Sequence, residues 1–375
     1  MSGLENGDIS ALSCPVPRTD YERVLLGHGS GGKMTADLIE RVFLPAWDNG
    51  ILTALEDQAT FYLSSSHLSH GRSRDAQASH TNGHRGPRVA FTTDSFVVRP
   101  LFFPGGDIGK LAVHGTVNDL AVGGAIPQVL SAAFILEEGL PIADLERVVA
   151  SMREACLEAQ VELVTGDTKV VDRGKGDQIF ITTSGIGVVP EDRNLSIHNA
   201  RPGDHILISG TIGDHGIAIL SVREGLEFET RLESDTAPLC GLTEAMLTTG
   251  ANIRAMRDPT RGGVSSTLNE LAQASQVGVR LIESALPMRN EVRGACEMLG
   301  LDPLYVANEG KLIAVVAAED AERVLAAMRE HPLGRQAADI GEVIADHPGM
   351  VTLKSVVGGE RVVTMLAGEQ LPRIC

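Results

Sequence analysis

Aromatic side chains are scarce in this chain, at 3% of 375 residues with a single tryptophan. Its cores must therefore be built from Val, Ile, Leu and Ala. Cysteines are few, odd in number and scattered at positions 14, 156, 240, 296 and 375, with no C-x-x-C pair. That argues against a disulfide framework and against a structural zinc site. Free thiols imply a reducing compartment, so the expected location is the cytoplasm. No apolar run approaches the roughly eighteen residues of a membrane span. The first residues, with Glu5 and Asp8, lack the basic-then-apolar order of a secretory signal. A basic excess is missing too: the formal net charge of −17 argues against a nucleic-acid binder. Any phosphate ligand must be held locally, by backbone amides, single Lys or Arg residues and metal ions.

What is present is ordinary soluble composition, 43% apolar and 22% charged, in a length that suits about two domains. Glycine is plentiful at 41 residues, which suits tight turns and loops that approach a ligand. Residues 1–20 read as a loose leader. Residues 64–88, rich in Ser, His, Arg and Gly without apolar period, read as a disordered insert. Its histidines (67, 70, 80 and 84) could in principle meet nickel or zinc, but the setting favours a solvated linker. The turn Arg201-Pro202-Gly203-Asp204 divides a first domain, 21–198, from a second, 199–366. Residues 367–375 form a tail. Hydrophobic periodicity predicts strands over 24–26, 89–93, 129–136, 161–164 and 179–182, and helices over 35–43, 108–121 and 141–159. The last helix sets Leu145, Val148, Val149, Met152 and Cys156 on one face. The second half predicts helices near 212–224, 240–250, 264–276 and 319–330, strands near 205–209, 279–283 and 311–317, and a closing hairpin over 350–366. Strands and helices interleave in both halves, so the expected class is mixed α/β.

The chemistry-bearing motifs begin with Gly27-His28-Gly29-Ser30-Gly31-Gly32-Lys33. It matches G-x-x-x-x-G-K, but Met34 stands where a P-loop needs Ser or Thr for magnesium. Amides before a helix start still suit an anion, and a flexible glycine turn is the other reading. Three acidic motifs follow: Thr92-Thr93-Asp94-Ser95, Gly115-Thr116-Val117-Asn118-Asp119 and Thr165-Gly166-Asp167-Thr168-Lys169. A single Asp after a strand is usually a turn former or cap. Three beside Thr, Ser or Asn suit magnesium on a nucleotide, with Asp57 as a possible fourth. Lys169 could neutralise phosphate or move a proton. Arg257-Asp258-Pro259-Thr260-Arg261-Gly262-Gly263 opens a helix that Asp258 could cap, and Arg261 could meet phosphate. Asn308-Glu309-Gly310 is a turn or, if Glu309 is buried, a general base. The chain closes on Cys375, a thiol tethered on one side, on a tail that could reach roughly 30 Å at about 3.4 Å per residue.

In this order the motifs resemble the HypE family of hydrogenase maturation proteins, from about residue 22 to the terminal Pro372-Arg373-Ile374-Cys375. The resemblance implies a two-domain aminoimidazole-ribonucleotide-synthetase-like (PurM-like) fold. Its N-terminal domain would dimerise through a β-barrel shared by two subunits, with ATP near the interface. It implies that the carbamoyltransferase HypF loads a carbamoyl group onto Cys375. The chain then dehydrates the S-carboxamide to S-cyanate with ATP and Mg2+, and passes the cyano group to a HypC–HypD complex. On that reading Asp57, Asp94, Asp119 and Asp167 hold the metal. Gly29, Ser30, Gly31, Gly32, Lys33, Asn118 and Arg261, together with Asp94, Asp119 and Asp167, bind the nucleotide. Lys169 and Glu309 move protons at Cys375. Two rivals stand beside it: a selenophosphate-synthetase-like enzyme, for which Cys14 would be the catalytic thiol, and a non-catalytic thiol carrier gated by ATP.

Overall fold

Two β-sheets organise the chain in the computed structural model, which describes residues 23–47, 49–63, 86–225, 232–368 and 374. The first half runs α1 (Lys33–Leu38), α2 (Leu44–Trp47), β1 (Ala59–Tyr62), β2 (Arg88–Phe96), β3 (Phe102–Phe103), β4 (Gly106–Asp107), α3 (Ile108–Val122), β5 (Ile126–Glu137), α4 (Ile142–Ala159), β6 (Glu162–Val171) and β7 (Ile179–Val188). The second runs β8 (His205–Ile208), α5 (Asp214–Glu224), α6 (Cys240–Leu247), β9 (Ile253–Arg257), α7 (Gly263–Ser275), β10 (Gly278–Ile282), α8 (Asn290–Leu299), β11 (Ile313–Val316), α9 (Ala321–Glu330), β12 (Ala338–Ile344), β13 (Val351–Lys354) and β14 (Glu360–Val363). The class is mixed α/β, as expected.

The first sheet has the order β1-β2-β7-β5-β6, and the second β14-β13-β10-β12-β8-β11-β9. Strand β11, Ile-Ala-Val-Val, is buried at every position, as a central strand with apolar residues on both sides should be. Strand β2 alternates instead. Ala90, Thr92 and Phe96 turn to the core, while Phe91, Thr93 and Ser95 turn outward. Helix α3 covers the core face. It is apolar nearly all round and buried along almost its whole length, the pattern of a helix enclosed on every side. It packs on β2, β7 and α4 and reaches α6 and β9 of the second half. Asp107 caps it, accepting from the N–H groups of Gly109 and Lys110.

Several expectations need correction. The apolar run at 24–26 is no strand; a 3-10 turn, Leu26–Gly29, begins there. The helix over 35–43 starts at Lys33, passes through a π-helical stretch (Ile39–Phe43) and buries none of its residues. Val149 stands off the buried face of α4, at 49% exposed. The strand at 161–164 continues to Val171, so Asp167 and Lys169 lie within a strand rather than after one. Strands β9 and β12 and helix α8 were not foreseen. The leader, most of the insert and most of the tail, including Cys375, lie outside the described residues.

Candidate active site

Burial of acids defines the site. Asp57 precedes β1, Asp94 lies on β2, Asp119 ends α3 and Asp258 follows β9. Carboxylate oxygens of Asp57, Asp119 and Asp258 lie within 4.8 Å of one another. The Thr92 hydroxyl reaches the Asp119 carboxylate at 2.8 Å and the Asp57 carbonyl at 3.0 Å. Arg257 Nε meets Asp57 at 2.7 Å, and its Nη2 meets Glu270 at 3.0 Å. Burial pushes Asp57 and Asp119 well above the usual carboxylate range, and neighbouring acids push further. Asp94 is also raised by burial, and Asp258 is raised by burial to about 6. Two arginines, Arg257 beside Asp57 and Arg261 beside Asp94, leave the four acids short of positive charge. Hard oxygen donors gathered this way suit Mg2+. Asp258 is not a helix cap, because α7 begins at Gly263 with Gly262 at its N-cap. The cap reading hid it as a metal-ligand candidate, and the only local signal was an acid flanked by Arg257 and Arg261.

A cleft of about 250 Å³ opens on these acids, lined also by Gly29, Gly31 and Arg261. Gly31 has φ +70, and a Cβ there would lie 2.8 Å from the Arg261 carbonyl oxygen, so only glycine lets the loop approach. Arg261 Nη1 donates to the Gly29 carbonyl at 3.0 Å, and Nη2 lies 3.6 Å from Asp94. The Ser30 hydroxyl returns to the Gly27 carbonyl. Gly32 is buried, and the Lys33 side chain is exposed while its N–H donates to Leu366. A second, more apolar cleft of about 440 Å³ shares Gly31, Thr35 and Arg257 and includes Ile39, Leu55 and Ile197.

Glu309 is buried, and its Oε1 has no hydrogen-bond partner among the described residues. Burial, then Asp94, Asp258 and Asp235, raise its pKa well above the usual range. Its N–H donates to Asp235 at 3.1 Å, and Lys311 pairs with Asp235 at 3.0 Å. Gly310 passes so close that a Cβ would sit 1.8 Å from the Asp235 carbonyl oxygen. Asn118 lies behind the cleft rather than facing it. Its amide nitrogen donates to the carbonyls of Ala237 and Glu309, and its oxygen accepts from the Leu239 N–H. It ties α3 to the backbone of Glu309. Asp235 had no sequence signal: Ser234-Asp235-Thr236 reads as any polar turn.

Asp167 and Lys169 are not with the others in one chain. Across the sheet Asp94 pairs with Thr183, Thr183 with Ala132 and Ala132 with Gly166, three steps of about 4.8 Å, so β6 lies roughly 14 Å from Asp94. Asp167 and Lys169 pair with Ala133 and Ile135, on the face that turns away from α3. Lys169 Nζ binds both Asp167 oxygens, at 2.9 and 2.7 Å, and holds that carboxylate below its usual range.

Residues 201–354 match the C-terminal domain of the AIR synthase related proteins, and residues 74–189 the N-terminal domain. The carbamoyl dehydratase HypE of Azotobacter vinelandii is 57% identical over 348 residues, 93% of this chain and 96% of that protein. The chain belongs to the HypE family of carbamoyl dehydratases. Its fold is the PurM-like α/β fold of the AIR synthase relatives, and membership places it among the hydrogenase maturation proteins. A solved HypE–HypF complex matches with TM-score 0.78 at 49% identity, covering 88% of this chain and 99% of that one. A HypE structure in complex with ATP matches with TM-score 0.74 at 48% identity, covering 94% and 100%. No helix among the described residues is long and apolar enough to cross a membrane.

Proposed function

We propose that this chain uses ATP to dehydrate an S-carboxamide on its own Cys375 to an S-cyanate, the source of the cyanide ligand of the nickel–iron hydrogenase centre. The observation that carries this reading is Glu309: a buried carboxyl group with a free oxygen and a raised pKa, set against the acid cluster. An amide oxygen is a poor leaving group. The carboxamide oxygen attacks the γ-phosphorus of ATP, ADP departs, and the nitrogen gives up one proton. The second N–H proton is then removed, the C–O bond breaks, and phosphate leaves with that oxygen. The products are S-cyanate, ADP and phosphate. Glu309 takes a proton, helped by burial that makes it a stronger base than a free carboxylate. Asp57, Asp119 and Asp258, with Asp94 beside them, would hold Mg2+, which would neutralise charge on the phosphates. Arg261 and the loop 29–33 bind the phosphates, and the more apolar cleft takes the base.

Lys169 and Asp167 enter this site from a second copy of the chain. The face that carries them is bare and apolar. Phe91, Ile135 and Ile186 on that face are 42%, 43% and 44% exposed, and the edge strand β6 is itself exposed along nearly its whole length. An uncovered apolar edge strand invites pairing. On this reading 21–198 is the ATP-binding and dimerisation domain, forming the shared barrel, 199–366 is the second domain, and 367–375 is a mobile carrier. HypF loads the tail, HypC–HypD accepts the cyano group, and the work is done in the cytoplasm.

The test is the intact mass of the C-terminal peptide. With Cys375 carbamoylated, ATP and Mg2+ should remove one water from the chain, and Glu309→Gln should prevent it. A carboxamide that stays hydrated with ATP bound would make the protein a carrier.

A further inference from the structure

The residue before the terminal one is seated in the protein. Ile374 is 6% exposed, forms an antiparallel bridge with Val98 and packs in the core that contains Leu101, Phe103 and Ile219. Its carbonyl lies 2.6 Å from His215 Nε2. A carbonyl only accepts, so Nε2 carries the proton. Nδ1, 2.8 Å from Ser234 Oγ, then accepts from that hydroxyl, and Ser234 Oγ accepts in turn from the Thr236 N–H at 3.2 Å. Burial disfavours a charged His215 ring, which suits this neutral tautomer. The edge-to-face contact with Phe103, at 5.7 Å between centroids, holds the ring plane.

Ser234 and Asp235 are consecutive. Through one, this loop fixes the ring that grips Ile374. Through the other, it fixes the backbone N–H of Glu309. The separation between the terminal segment and the buried carboxyl group is therefore set by a single peptide unit, and that unit is itself anchored, since the Ser234 N–H donates to the Pro104 carbonyl at 2.8 Å.

We propose that His215 is a positioning residue, which fixes the Ile374 carbonyl so that the adjoining terminal residue is presented to Glu309 in one register. This deepens the proposed dehydration and rests on the reading that Cys375 carries the carboxamide. His215 lines neither of the clefts beside the acid cluster, so it would act through the Ile374 carbonyl.

The experiment uses the full chain with carbamoylated Cys375. Water loss is followed by peptide mass in single turnover with ATP and Mg2+, and unmodified Cys375 is separately alkylated with iodoacetamide. His215→Ala should slow water loss by about 100-fold, the cost of a misplacement near 1 Å. It should also speed Cys375 alkylation by at least about tenfold, since a lost buried hydrogen bond frees the tail. His215→Gln, whose amide nitrogen can donate where Nε2 does, should restore most of both. ATP affinity should be unchanged in each. Wild-type water loss and wild-type alkylation in His215→Ala would overturn the proposal, as would a glutamine variant no better than alanine. If His215→Ala loses ATP binding, Ser234→Ala decides by the same two readouts. If the wild type loses no water, the dehydration reading falls, and the alkylation rates still decide whether His215 holds the tail.

Discussion

Asp94 and Asp167 stand on opposite faces of one sheet, and their acidities move in opposite directions. Asp94, on the face closed by α3, is raised by burial. Asp167, on the open face, is lowered by the lysine two residues on. The second sheet has no such asymmetry at β11, which is buried throughout. The first sheet is thus finished on one side only. Its inner face holds more acids than Arg257 and Arg261 can balance, and its outer face holds an ion pair among bare apolar side chains. Each deficit names what would satisfy it: a metal-bound nucleotide inside, a second copy outside.

The most damaging change should be Asp119→Asn, which removes a carboxylate from the inner cluster. Water loss should fall by at least about 1000-fold, as for removal of a main electrostatic group. Calorimetry should find Mg2+–ATP binding weakened in Asp119→Asn and kept in Asp167→Asn. Equal weakening in both would erase the distinction between the faces. Next, Ile135→Asp combined with Ile186→Asp should make the outer face repel its copy. Sedimentation should find monomers, with activity down by about 100-fold because positioned groups are lost. A fully active monomer would break the comparison. A gentler probe mixes Lys169→Ala with Glu309→Gln subunits after dissociation. If each site draws Glu309 from one chain and Lys169 from the other, about a quarter of wild-type activity should return, from one intact site in half of the dimers. Sites built within one chain would return none.

The smallest effect concerns pH. The folded pKa of Asp258, about 6, exceeds its unfolded value of 3.8. The folded chain binds the proton more tightly, so this group favours folding at low pH, and that contribution is lost as pH rises from about 4 through 6. Mg2+ opposes the loss by binding the ionised form. Its addition should therefore raise Tm by several degrees more at about pH 7.5 than at about pH 5.5. Equal shifts at both would mean that Asp258 does not face the metal.

The sequence made the periodic elements readable. Strand β2, helices α3 and α4 and the hairpin of β13 and β14 lie within a few residues of where apolar spacing puts them. It misled where polar residues occupy a strand. Thr-Gly-Asp-Thr-Lys has turn chemistry, and only pairing with β5 keeps it extended. The face on which Asp167 falls could not be read, because the β5–β6 register shifts at Leu130/Ser131, and a shift of one residue exchanges the faces. Asp94, Asp119 and Glu309 could be suspected from their glycine, threonine and asparagine neighbours, whereas Asp57, in Glu56-Asp57-Gln58-Ala59, has none of these. Asp235 and His215 could not. Their importance comes from burial and from contacts 74 and 159 residues distant in sequence.

Helix α3 has a consequence for how the site opens. Nearly every residue of it is enclosed between the two halves, so its amides should exchange with solvent deuterium only when the whole protein unfolds. Asp57 belongs to a different regime, because its segment carries exposed Ile51, Leu52 and Leu55. The acid cluster thus joins a slow-exchanging half to a fast-exchanging one. Nucleotide should be felt as new deuterium protection over 49–58, with little change in α3: the ligand completes a site whose far wall is already as rigid as the fold itself.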